Sequence, residues 1–121
     1  MIDHTGVNVT DIAKSKAFYS AALEPLGYAV IMEFGDAVGF GVPPKPDFWV
    51  GQSTASLVPI HVAFRAETRQ QVDAFYKAAM AAGARDNGPP GLRPHYHASY
   101  YGAFVLDPDG HNIEAVCHKP E

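Results

Sequence analysis

What most constrains this chain is that it repeats itself. His4 and His61 stand 57 positions apart, and so do Asp11 and Thr68, Phe18-Tyr19 and Phe75-Tyr76, and Ala21-Ala22 and Ala78-Ala79. An ungapped match of strand histidines, helix caps and helix faces marks two copies of one supersecondary unit. Each copy has a sheet face that its neighbour must cover, so the two must pack together. Each unit reads as β-α-β-β-β. In the first, residues 2–9 alternate as a short strand, Thr10-Asp11 cap a helix over residues 12–24, and residues 28–34, 37–42 and 47–51 follow as strands. Phe18, Ala22 and Leu26 fall at helical spacing beside Tyr19 and Leu23, and Pro25 and Gly27 close the helix. After a connector over residues 52–58 the pattern restarts. Residues 59–65 form a strand, and Thr68 with Gln71 makes a capping box that opens a helix to about residue 82. A Gly/Pro/His loop over residues 86–98 has room for one short strand, and residues 99–106 and 111–117 are the last two strands. The expected architecture is α+β. One domain, residues 1–121, holds two paired βαβββ modules of about residues 1–51 and 59–118, forming a cup-shaped mixed sheet with helices on its outer face.

The final hairpin raises the chemical question. Phe104-Val105-Leu106-Asp107-Pro108-Asp109-Gly110-His111-Asn112-Ile113-Glu114 reads as strand, tight turn, strand, with Pro108 presetting φ and Gly110 free to take positive φ. On the returning strand Glu114 is an acid among apolar residues, and a buried carboxylate has to be paired, hydrogen-bonded, protonated or bound to a metal. Strand alternation supplies partners. Ile60, Val62 and Phe64 form an apolar face for the helices, so His61 points to the concave side, as does His4 in the first module. His4, His61 and Glu114 make a two-histidine, one-carboxylate set that leaves positions open on a metal. Iron(II) and related divalent ions suit it, and so does zinc with three protein ligands and a water. Aligning the two last hairpins gives an offset of 65, which places Trp49 at the position of Glu114. An indole N–H only donates, so three protein ligands are expected rather than four.

The totals narrow the function classes. A formal net charge of −4 without a basic run argues against a nucleic-acid surface, and no apolar run is long enough to span a bilayer. The N-terminus lacks the basic and apolar regions of a secretory signal, and the single cysteine, Cys117, allows no intrachain disulfide. Cytoplasm is the default compartment. Cys117 reads as a small core hydrophobe. In the loop, Arg93 is placed to clamp an anionic group, and His95 and His97 are candidates for general acid or base. Tyr100, Gly102 and Phe104 face with Glu114 if the last strands pair in simple register. His111 and His118 read as turn and surface residues.

These residues resemble the vicinal oxygen chelate superfamily, which includes glyoxalase I, fosfomycin-resistance thiol transferases, bleomycin-resistance proteins and extradiol dioxygenases. The resemblance rests on His4 with Asn8-Val9-Thr10-Asp11, Ser15 to Phe18-Tyr19, Leu26-Gly27-Tyr28, Ile60-His61-Val62-Ala63-Phe64, and Asp107 to Glu114. It implies two paired βαβββ modules forming a cup, often completed in a homodimer. It also implies metal ligands at His4, His61 and Glu114, and chelation of a substrate's neighbouring oxygens by one divalent ion: iron, manganese, zinc or nickel. Trp49 stands where glyoxalase I enzymes carry a fourth ligand. Phe104 stands where extradiol and fosfomycin members commonly place a tyrosine. Three functions follow as expectations. The first is a metal-dependent enzyme of lyase, isomerase or dioxygenase type acting on a small substrate, with Glu114, His95 and His97 as catalytic candidates and Trp49, Arg93, Tyr100 and Phe104 against the substrate. The second is a metal-free binding protein of the bleomycin-resistance kind, using Phe48, Trp49, Tyr100 and Phe104. The third is a structural or regulatory homodimer with a vestigial site.

Overall fold

The computed structural model describes all 121 residues. The first module holds β1 (Thr5–Val9), α1 (Ile12–Leu23), β2 (Ala29–Phe34), β3 (Ala37–Gly41) and β4 (Phe48–Gln52). The second holds β5 (His61–Arg65), α2 (Arg69–Ala81), the two-residue strands β6 (Arg85–Asp86) and β7 (Gly91–Leu92), then β8 (Tyr101–Leu106) and β9 (Asn112–Cys117). The long loop therefore carries two short strands rather than one, and the last strands begin later than their apolar runs suggest. The helices start 57 residues apart, as the repeat requires. Each has its orphan amides capped by side chains: Lys14 N–H donates to Asp11 Oδ1 at 3.1 Å, and Gln71 N–H to Thr68 Oγ1 at 3.1 Å. Gln71 Oε1 reaches back past Thr68 to accept from Glu67 N–H at 2.7 Å. A 3-10 turn over Glu24–Leu26 and Gly27 at φ +86° end the first helix.

The modules form two sheets, not one continuous sheet. One has the order β1-β4-β3-β2 and the other β5-β9-β8-β6, with β7 also on β8. In each, the first strand lies parallel to the last and the remaining pairs are antiparallel. Register confirms the alignment of the repeats: Gly6 pairs with Trp49, and Ala63, 57 positions on from Gly6, pairs with Glu114. Trp49 is therefore the structural counterpart of Glu114. Val7, Val9 and Phe64 are buried, while Gly6, Asn8, His61, Ala63 and Arg65 face outward, which is the alternation of half-buried strands. A single apolar core joins both modules, and Phe64 sits at the joint, edge-on to Tyr28 and Phe48 with ring centroids at 5.4 and 5.0 Å. The helices pack on each other and on the buried sides of the strands. Cys117 is a core residue at 1% exposure. No helix is long and apolar enough to cross a membrane.

The last hairpin turn fastens the modules together. Asp109 accepts from Thr10 through both N–H and Oγ1, the latter at 2.7 Å. Asp107, 2% exposed, accepts from Tyr19 OH at 2.5 Å and from the amides of Asp109 and His111. His111 is not a surface residue. At 2% exposure, its Nε2 donates to Asn8 O at 2.7 Å and its Nδ1 accepts from Ile60 N–H at 3.1 Å. A turn sequence alone does not show that the hairpin tip is covered by the other module. The contacts also fix direction. The end of β1 lies beside the start of β5 through His111, and the residues ahead of β1 share a cleft with β5 as far as Arg65, so these two edge strands pass each other in opposite senses.

Candidate metal and substrate site

The open face of the second sheet gathers His61, Glu114, Phe104 and Tyr100. Glu114 sits in the middle of β9 between β5 and β8, with Ala63 and Phe104 as its cross-strand neighbours. Its side chain is 2% exposed although it belongs to the open face, because other side chains cover it. His61 Nε2 meets Glu114 Oε1 at 2.9 Å with half of the imidazole in solvent. Tyr100 OH donates to Glu114 Oε2. Both oxygens of the buried carboxylate are thus engaged, as burial demands. Burial first, then the hydrogen bond and negative charge of Glu114, hold the Tyr100 phenol protonated well above its ordinary range.

His61 and Glu114 have the geometry of two of the three expected ligands. An imidazole nitrogen and a carboxylate oxygen 2.9 Å apart have the spacing of adjacent ligands about 2.0–2.2 Å from one ion. His4 does not join them. It lies just ahead of β1, exposed, with Nδ1 against Asp3 Oδ1 at 2.8 Å. Because β1 and β5 run oppositely, His4 lies toward the other end of the seam from His61. Within the chain no three His, Cys, Asp or Glu side chains gather into a metal-holding group. A cleft of about 370 Å³ follows the seam and has both His4 and His61 on its walls with Asp47, Arg65 and Tyr28. A second, of about 440 Å³, adjoins it through Tyr28, Asp47 and Arg65. Glu114 lines neither, and the carboxylate meets the first cleft only through His61.

The remaining candidates divide between the two sheets. Phe104 lies beside the site, with its ring 6.2 Å from that of His61. Arg93 stacks over Phe104 at 5.4 Å, and its guanidinium donates to Gly91 O at 2.9 Å and Pro89 O at 2.8 Å. Those bonds brace its own loop while the ring below orients it. Trp49 is on the other sheet, stacked on the exposed Phe34 with centroids 6.1 Å apart. Its ring fills the space above Gly39, where an added Cβ would come within 2.9 Å of the indole. His97 turns away from Glu114: its Nδ1 accepts from Ser99 N–H at 3.1 Å and its Nε2 meets His118 Nδ1 at 2.9 Å. His95 packs on Tyr96 at 4.3 Å. The pairing of His97 with His118 and the cover that Tyr100 gives Glu114 had no periodic signal in the sequence, because they arise where an irregular loop folds back over a strand.

Comparison with known proteins agrees with this fold. The sequence profile of the Glyoxalase/Bleomycin resistance protein/Dioxygenase superfamily matches residues 1–115. A glyoxalase/bleomycin resistance protein from Albidiferax ferrireducens T118 is 29% identical, with a TM-score of 0.81 over 98% of this chain and 99% of that one. A glyoxalase/bleomycin resistance protein/dioxygenase family enzyme from Burkholderia phytofirmans PsJN superposes with a TM-score of 0.74 at 21% identity, covering 97% and 98% of the two chains. The oxidase ChaP-H2 does so with a TM-score of 0.68 at 23% identity over 98% and 94%. At the lower identities the likeness is one of fold. No curated protein sequence matches the chain.

Proposed function

This chain belongs to the glyoxalase/bleomycin resistance protein/dioxygenase superfamily, and on that footing we propose that it is a divalent-metal-dependent enzyme acting on a small substrate with neighbouring oxygens. The observation that carries the proposal is the His61–Glu114 pair: an exposed imidazole on a buried carboxylate at ligand spacing, on the open face of a sheet. His4 of a second copy supplies the third ligand. This is supported by the opposed run of β1 and β5 and by the absence of a three-ligand group within one chain. A homodimer that lays the first sheet of one copy over the second sheet of the other forms two such sites and covers the exposed Met32 and Phe34.

When bound, a divalent ion supplies Lewis-acid polarisation of the substrate's oxygens. The chain's own residues do the rest. Phe104 and the Arg93 guanidinium stacked on it form an apolar and cationic wall that orients an anionic, oxygenated substrate. Trp49 and Phe34 of the second copy close the opposite side and exclude water. His95 is the exposed base nearest this wall in sequence. His97 is held by His118 and steadies the loop.

One observation favours a second reading, a metal-free binding protein. Glu114 already has both oxygens satisfied by His61 and Tyr100. Elemental analysis of chelator-treated protein after exposure to iron(II), manganese, zinc and nickel separates the two. Near one ion per chain, lost in His61→Ala, is the expected result. Absence of uptake of all four ions moves the protein to the binding class.

A further inference from the structure

Phe104 brings no hydroxyl to the open face, whereas Tyr100, four residues earlier, brings one to Glu114. Tyr100 precedes β8, and its ring folds back over the strand to reach the open face. Gly102 makes this possible, since a Cβ there would come within 3.2 Å of the Tyr100 ring and 3.4 Å of Glu114 Oε2. The ring is boxed on its other sides by Tyr96, His97 and His118, all edge-on, with centroids at 4.8, 5.5 and 5.3 Å. Its backbone is tied as well, with Arg93 N–H donating to Tyr100 O at 2.7 Å and Tyr100 N–H to His97 O at 3.1 Å. A side chain gripped in this way has few rotamers, so its hydroxyl is aimed rather than swinging. It points at the oxygen of Glu114 that His61 does not use.

We propose that Tyr100 is a positioning residue that occupies Glu114 Oε2 and presents Oε1 alone, beside His61 Nε2, as the ligand atom. The proposal rests on the metal-enzyme reading above. A hydrogen-bonded outer partner fixes a ligand's orientation, and its loss typically costs ten- to a hundredfold in metal affinity. The His97–His118 pair, stacked at 5.2 Å, acts through Tyr100 and not on the site itself.

Tyr100→Phe keeps the ring and its box and deletes only the donor. Three readouts on the full-length protein test it. In the metal-free protein, NMR should show a downfield, exchange-protected hydroxyl proton that vanishes in Tyr100→Phe and moves upfield in Glu114→Gln, where a neutral oxygen accepts. Titration calorimetry with zinc or nickel should show at least a tenfold loss of affinity in Tyr100→Phe, with the variant still cooperatively folded at a lowered melting temperature, since buried Glu114 Oε2 loses its donor. Zinc-edge X-ray absorption should show the loss of the single-oxygen carboxylate mode. A hydroxyl signal present, with affinity within twofold of the parent, overturns the positioning role. If the parent protein binds no ion, the metal reading fails. The hydroxyl signal then decides the Tyr100–Glu114 contact alone: its presence keeps Tyr100 as the group that holds this carboxylate, and its absence overturns that too.

Discussion

Where the second module sets Glu114 opposite Phe104, the first sets Trp49 opposite Gly39. Where the second turns through Asp107-Pro108-Asp109-Gly110-His111, the first turns through Val42-Pro43-Pro44-Lys45-Pro46, the same positions shifted by 65. The strands and the helix caps are shared by the two modules. The open face and the turn are not. One turn is buried and clasps the other module through three side chains; the other leaves Val42 at 56% exposure. Duplication therefore accounts for the scaffold, and the departures from it locate both the candidate chemistry and the fastening.

The largest expected effect sharpens the difference between the open faces. His61→Ala should lower metal affinity at least a hundredfold, while Trp49→Phe on the equivalent face should leave it within about threefold, both read by calorimetry. Next come the turns. His111→Ala removes a buried ring that serves as donor to one module and acceptor to the other, and should cost about 2–4 kcal/mol in urea unfolding. Its counterpart Pro46→Ala should cost less than about 1 kcal/mol. A destabilisation of equal size at both would break the comparison.

Tyr19→Phe leaves Asp107 Oδ2 without its partner and should cost about 1–3 kcal/mol near neutrality. The sign of its pH dependence follows from the phenol. Burial first, then Asp107, raises the Tyr19 pKa well above its ordinary value. The native state therefore keeps a proton that the unfolded chain gives up near about pH 10. That contribution is whole below about pH 10 and is lost as pH rises further, so denaturant curves should show the gap between parent and variant closing on the alkaline side. The smallest effect is expected at the open turn, where Val42→Thr should shift stability by no more than about 0.5 kcal/mol.

Much of this was legible in the sequence because it is periodic. Alternation placed His61, Ala63 and Arg65 on one face of β5, and the caps Asp11 and Thr68 fixed both helix starts. The hairpin register put Glu114 opposite Phe104 with Gly102 beside it. What was not legible depends on contacts distant in sequence. His111 lies in a polar turn, and only the approach of Asn8, 103 residues away, buries it. Tyr100 and His118 are brought together by a loop with no repeat of its own. His4 matches His61 by arithmetic, but the opposed run of the two edge strands takes it to the other end of the seam.

That separation makes the site depend on two copies of the chain, and mixing two defective proteins tests it directly. His4→Ala and His61→Ala are each expected to bind almost no metal. Unfolded together and refolded as a mixture, they form mixed dimers in which one site has lost both histidines and the other has lost neither. Recovery of about a quarter of the parent's metal content in the mixture is expected. No recovery, with dimers shown to have exchanged, would place all three ligands within one chain and contradict it.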